Sequence, residues 1–155
     1  MKKLTTQLAL ILIAACLLQV SCKKDDAPVP ADTLTLLQNK NWKLTAATES
    51  SVNGVIDVYH DVLEDCNRDD LFRFNPGGAF VLDEGPTKCD PGDVQSQPGT
   101  WSYTESTKTL HFTLNTVSDH YDIAITSITE STFAGKMVEV DAGITYTTTM
   151  SFARQ

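Results

Sequence analysis

The segment HDVLEDCNRDD gathers His60, Asp61, Glu64, Asp65, Asp69 and Asp70, an unusual density of oxygen-bearing side chains that could hold a hard cation such as calcium. Asp65, Asn67 and Asp69 imitate the opening of a helix–loop–helix calcium site, yet Asp70 stands where that loop needs glycine and Pro76 where it needs a bidentate glutamate. A solvated acidic loop over residues 60–70 is the better reading, and no metal ligand is assigned. The other chemistry-bearing residues are dispersed. His60, His111 and His120 are scattered along the sequence, no G-x-S-x-G presents a serine nucleophile, and no glycine-rich loop leads from a strand into a helix. Asp83 and Glu84 are adjacent and so face opposite sides of a strand, which prevents them from flanking one glycosidic bond. No catalytic residue and no cofactor follow from these patterns, and a non-enzymatic role is expected.

The cysteines carry more information. Cys22 comes directly after Ser21, at the end of the apolar run LALILIAACLLQV, which itself follows the positive start Met1-Lys2-Lys3. That run is shorter than the roughly 20 residues of a comfortable membrane span and has the anatomy of a signal peptide, predicted over residues 1–21. A cysteine after a small residue at this point resembles the bacterial lipobox, in which the thiol is diacylated and the chain is cut just before it. Cys16, preceded by IAA, is the alternative, but its use would leave LLQV exposed on the mature N-terminus. Lys24, Asp25 and Asp26 resemble the surface-export signal of Bacteroidetes-type lipoproteins. The resemblance implies lipid attachment at Cys22, a membrane partner through its acyl chains, and an exported, surface-exposed outer-membrane location. Residues 22–33 then form a lipidated flexible tether, and 34–155 the folded domain.

With Lys2 and Lys3 removed, 10 Lys and Arg face 20 Asp and Glu, a net charge of −10. Nucleic acid is therefore an unexpected partner, as are anionic head groups. Cys66 and Cys89 remain as an even pair in an exported chain and are predicted to form a disulfide bracketing the NPGG turn. Closing that 24-residue loop stabilises by roughly 3 kcal/mol in the chain-entropy picture.

The elements that must position these residues show a period of two from Trp42 onward. Strands are predicted near 41–50, 54–60, 70–75, 79–84, 99–104, 108–115, 120–128, 131–140 and 143–153, with a helical turn only at TLTLLQNK. Sequential hairpins favour a small up-and-down antiparallel β-barrel of about eight strands, and a two-sheet sandwich is the alternative. The alternation turns Trp42, Phe72, Phe74, Phe80, Trp101, Tyr103, Phe112, Phe133, Tyr146, Met150 and Phe152 inward. So many large side chains could fill a small barrel, which predicts a cavity below the roughly 300 Å³ of a drug-sized site.

LLQNKNWKL, then CNRDDLFRFNPGGAFVLDEGPTKCDPGD, then PGTWSY and TKTLHF resemble the lipocalin-like lipoprotein domains of Bacteroidetes, over nearly all of residues 35–155. That resemblance implies a short barrel on a lipid-anchored tether, with a mouth that binds a small apolar or amphipathic ligand. Trp42, Phe74, Phe80, Trp101, Tyr103, Phe112 and Tyr146 are its candidate lining residues. It also implies that Arg154 packs across Trp42, a cation–π closure that contributes about 0.5 to 2 kcal/mol, unless Arg154 is simply free. The alternative function is a module with a filled barrel whose loops bind a surface protein or glycan.

Overall fold

The computed structural model describes residues 32–116 and 120–155; the predicted signal peptide, Cys16, Cys22 and the tether as far as residue 31 lie outside them. The described chain opens with α1 (Thr33–Leu37), whose N-terminus is capped by Asp32 Oδ1 accepting from the Thr35 amide at 2.6 Å. Nine strands follow: β1 (Asn41–Ser51), β2 (Gly54–Asp57), β3 (Leu71–Phe74), β4 (Ala79–Asp83), β5 (Ser96–Thr104), β6 (Thr109–Leu114), β7 (His120–Ile128), β8 (Thr132–Asp141) and β9 (Ile144–Arg154). A helical turn, α2 (Val58–Asp61), takes up the end of the strand expected over 54–60. Its cause is local, because the Asp57 carboxylate accepts from the His60 amide and caps a helix where the strand would have continued.

Every strand from β3 to β9 pairs antiparallel with the next, and β9 returns to β1, so β1 and β3–β9 close an eight-stranded up-and-down barrel. Continuous pairing around the circle excludes the sandwich. The β2 strand is an outlying hairpin partner, bound to β1 only from Thr48 to Ser51. On the same edge of β1, β3 pairs with Asn41 to Lys43. Residues 44–47 have neither partner on that edge, and the segment that crosses from β2 to β3 runs past this gap.

Two irregularities set which side chains face inward. Between β1 and β9 the register shifts at Leu44/Ala46, and Thr45 is the extra residue, its hydroxyl donating to Ser151 O at 3.1 Å. A second shift on β7 sets Thr126 apart in the same way, with its hydroxyl on Ala134 O. Each bulge adds one residue and so exchanges inside for outside along the remainder of its strand.

The buried aromatics gather at the end of the barrel that α1 covers. Leu37 is fully buried there, and its carbonyl accepts from Trp42 Nε1 at 2.9 Å. Trp42 meets Phe133 edge to face at 4.9 Å, Phe133 stacks on Phe152 at 4.3 Å, and Phe74 contacts both Phe80 and Trp101 at 5.3 Å. Trp101 Nε1 donates to Asn75 O at 2.8 Å, tying the base to the NPGG turn, where Gly77 and Gly78 hold φ of 82° and 85°.

Candidate functional site

Above that base the barrel is open. A cavity of about 420 Å³ is floored by Phe72, Phe80, Phe112 and Phe152 and walled by Leu44, Ala47, Leu82, Leu114, Tyr121, Ile123, Met137 and Met150. Val58 and Leu63 reach it from the crossing segment, and Glu49 and Thr148 complete it near the mouth. The volume overturns the expected filled interior. Aromatic side chains are concentrated in the lower layers, while the mouth halves of the strands carry Ala47, Leu82, Leu114, Met137, Thr148 and Met150, which do not meet across the barrel. A total of aromatic residues says nothing about how they are distributed along the axis.

The candidate lining residues separate into three groups. Phe80 and Phe112 line the cavity. Trp42, Phe74 and Trp101 do not, because they are buried in the base beneath it. Tyr103 packs against the core toward the same end, with its hydroxyl buried and unpartnered among the described residues. Tyr146 lies beyond the main cavity, in a rim groove of about 240 Å³ that it shares with Glu49, Ser51, Asn53 and the β1–β2 hairpin. The cation–π expectation is also corrected. Arg154 is the register partner of Trp42, but it is exposed at the strand end. The cation above the indole is Lys40 Nζ, 5.9 Å from the ring centroid. Lys40 is fixed in that place by Leu36 O at 2.7 Å and Glu130 at 3.1 Å.

The mouth is organised by one disulfide and one arginine. Cys66 and Cys89 are bonded, with Cα atoms 5.2 Å apart, and join the crossing segment to the β4–β5 loop. Glu64 lies beside them, but both sulfurs are consumed by each other and offer no thiolate to a metal. Within the crossing segment Arg68 donates from Nε to Tyr59 O (2.7 Å) and from Nη2 to His60 O (3.0 Å) and Leu63 O (2.8 Å). Its Nη1 donates to Asp65 Oδ1 at 2.7 Å. A guanidinium thus sits where three carbonyls and the Asp65 carboxylate converge and satisfies them together. The loop carries its own cation.

Beside it, Gly85 (φ 66°) brings the β4–β5 loop so close to Asp69 that a Cβ there would meet the Asp69 carbonyl. Asp69, Asp70, Asp83 and Glu84 are thereby brought together, and Glu84 is buried. Hydrogen bonds, first from Gln95 and then from the Gly85 amide and Ser96, hold the Asp83 carboxyl below its ordinary range. Asp70 has no such donors among the described residues. Burial, then the charges of Glu84, Asp69 and Asp83, push it up to about 7, and its Oδ1 is buried without a partner.

Two of the three histidines pair with carboxylates, and the ring of His120 lies 5.8 Å from that of His111. His60 Nδ1 meets Asp57 at 2.8 Å, and His111 Nδ1 meets Asp122 at 2.6 Å on the outer face of β6 and β7. Neither pair lines the cavity.

A closed antiparallel barrel with an apolar interior and a plugged base is the architecture of a lipocalin-like domain. Residues 39–134 match the lipocalin-like domain family, and the chain belongs to it. No curated protein is close enough in sequence to count as a relative. Among solved structures, the chain is similar to bovine odorant binding protein in complex with a selenium-containing odorant, at 12% identity and a TM-score of 0.44, over 83% of this chain and 76% of that one. The closure of the barrel stands on its own strand pairing.

Sequence reading missed Glu49, Arg68 and Lys40. Counting alternately from Trp42 turns Glu49 outward, and only the Thr45 bulge brings it in. A lone arginine inside a run of acids was the available signal for Arg68.

Proposed function

We propose that this protein is an exported lipoprotein, anchored by acyl chains on Cys22 to the outer membrane and facing the cell surface, whose barrel binds a small apolar or amphipathic molecule without transforming it. The observation that carries the binding role is the cavity of about 420 Å³, apolar over nearly all its wall. Its size falls within the roughly 300–1,000 Å³ of small-molecule sites, and a volume lined by Phe, Leu, Ile and Met is more favourably filled by hydrocarbon than by water. Family membership supports the same reading. The filled-barrel alternative loses its premise with the cavity, and a partner protein or glycan would have to be recognised by the rim alone.

A panel of apolar ligands titrated into the native protein, with thermal unfolding as the readout, tests the binding role. A ligand of the native state raises the melting temperature progressively with its concentration. Flat melting temperatures across the panel would remove the reading. The anchor is tested separately: Cys22→Ala is expected to move the protein out of the membrane fraction, and retention there would refute acylation at this position.

A further inference from the structure

Resting on that binding reading, we infer that the cavity selects molecules whose polar end is a cation or a hydrogen-bond donor, that it discriminates against carboxylates, and that Glu49 recognises that end.

Polar residues are few in the lining, and one of them is a carboxylate. Besides Tyr121, near the start of β7 and stacked on Phe112 at 5.0 Å, they are Glu49 on β1 and Thr148 on β9, which face each other in the strand register. Glu49 is half-buried and makes neither an ion pair nor a side-chain hydrogen bond among the described residues. It is also shared between two spaces, since it lines both the main cavity and the rim groove with Ser51, Asn53 and Tyr146. A molecule with its tail against Phe72 and Met150 therefore has its polar end beside the Glu49 carboxylate, with hydroxyls of Thr148, Ser51 and Tyr146 around it.

Among the described residues, no lysine, arginine or histidine lines either space. The cations of the mouth loops are already engaged, Arg68 with three carbonyls and Asp65, Lys88 with Asp93 O at 2.7 Å. The rest of the rim adds further carboxylates in Asp69, Asp83 and Glu84. An ionised glutamate only accepts hydrogen bonds, and so does a carboxylate ligand. Two such groups brought together at a partly desolvated rim repel each other unless one of them takes up a proton, a cost that falls on the acid and not on the amine or the alcohol. An ammonium or an alcohol supplies the donor that Glu49 lacks.

The test compares three molecules of equal tail length, dodecylamine, dodecanol and dodecanoic acid, at neutral pH, by tryptophan fluorescence and thermal unfolding. The amine is expected to bind at least about tenfold more tightly than the acid, one decade being a modest differential for a charge placed beside a like or an opposite one. Glu49→Gln is expected to close that gap and Glu49→Lys to reverse it. The net acidity of the protein survives the glutamine change, so a gap that persists in Glu49→Gln would mark general attraction of the amine and overturn the inference. Equal affinity of acid and amine in the unaltered protein would also overturn it, while leaving cavity binding intact. Binding of none of the three would remove the cavity reading and this inference together.

Discussion

Asp70 is a carboxyl that the folded protein holds at a disadvantage, and Asp70→Asn should therefore stabilise the protein in a pH-dependent way. Its value stands at about 7 in the fold against an ordinary 3.8. Between those limits the folded chain keeps the proton that the unfolded chain has lost, so stability falls as pH rises through the window. Below about pH 4 both states are protonated and the group contributes nothing, whereas above about pH 7 the whole penalty is present. Asp70 is only half-buried, so solvent screening reduces the cost of ionisation to about 1 to 2 kcal/mol. Asparagine has nearly the same shape and no charge, and its amide can donate toward the neighbouring carboxylates, of which Asp69 Oδ1 is itself buried and unpartnered. Thermal unfolding should show Asp70→Asn melting about 4 to 8 °C higher than the parent at about pH 8, and equal to it at about pH 4. A gain of the same size at both pH values, or a loss at the higher one, would refute the assignment of the strain to charge.

Two further outcomes follow from the mouth. Replacing Cys66 and Cys89 by serine releases a loop constraint worth roughly 3 kcal/mol and should lower the melting temperature by about 10 °C; an unchanged melting curve would show that the bond does not restrain the unfolded chain. Arg68→Lys should not substitute for the parent, because one ammonium cannot reproduce a planar fork that reaches Tyr59 O, His60 O, Leu63 O and Asp65 together, and proteolysis within residues 58–70 should accelerate. Cleavage at the parent rate would mean that the disulfide alone orders this segment.

The barrel was legible in the sequence because its cause is repeated in nearly every strand. Phe72 and Phe74 flank Arg73, Leu110 and Phe112 flank His111, and Ile123 and Ile125 flank the small Ala124, and that period of two survives whatever lies elsewhere in the chain. The pairing of Cys66 with Cys89 was legible for a related reason, since the NPGG hairpin between them returns the chain to its starting point. The site was less legible because its causes are not periodic. One extra residue, Thr45, turns Glu49 from the outer face to the inner one, and nothing in the composition of WKLTAATES announces a bulge. Trp42 attracts Lys40 rather than its register partner Arg154 because α1 and Glu130 fix the lysine first, a contact between segments about 90 residues apart.

Cavity volume depends on the level at which each inward residue sits. Phe133 and Phe152 share a layer with Trp42, whereas Met137 and Thr148 form another layer nearer the mouth. The β8–β9 register sets those levels, pairing Phe133 with Phe152 and Met137 with Thr148. With a single bulge in each of β1 and β7 and none between β8 and β9, the large rings of six strands arrive at the base together. The smaller side chains are left to face one another across empty space. The open volume of this barrel is thus a property of strand register, and it lies at the same mouth where the Glu49 carboxylate has no ion-pair partner among the described residues.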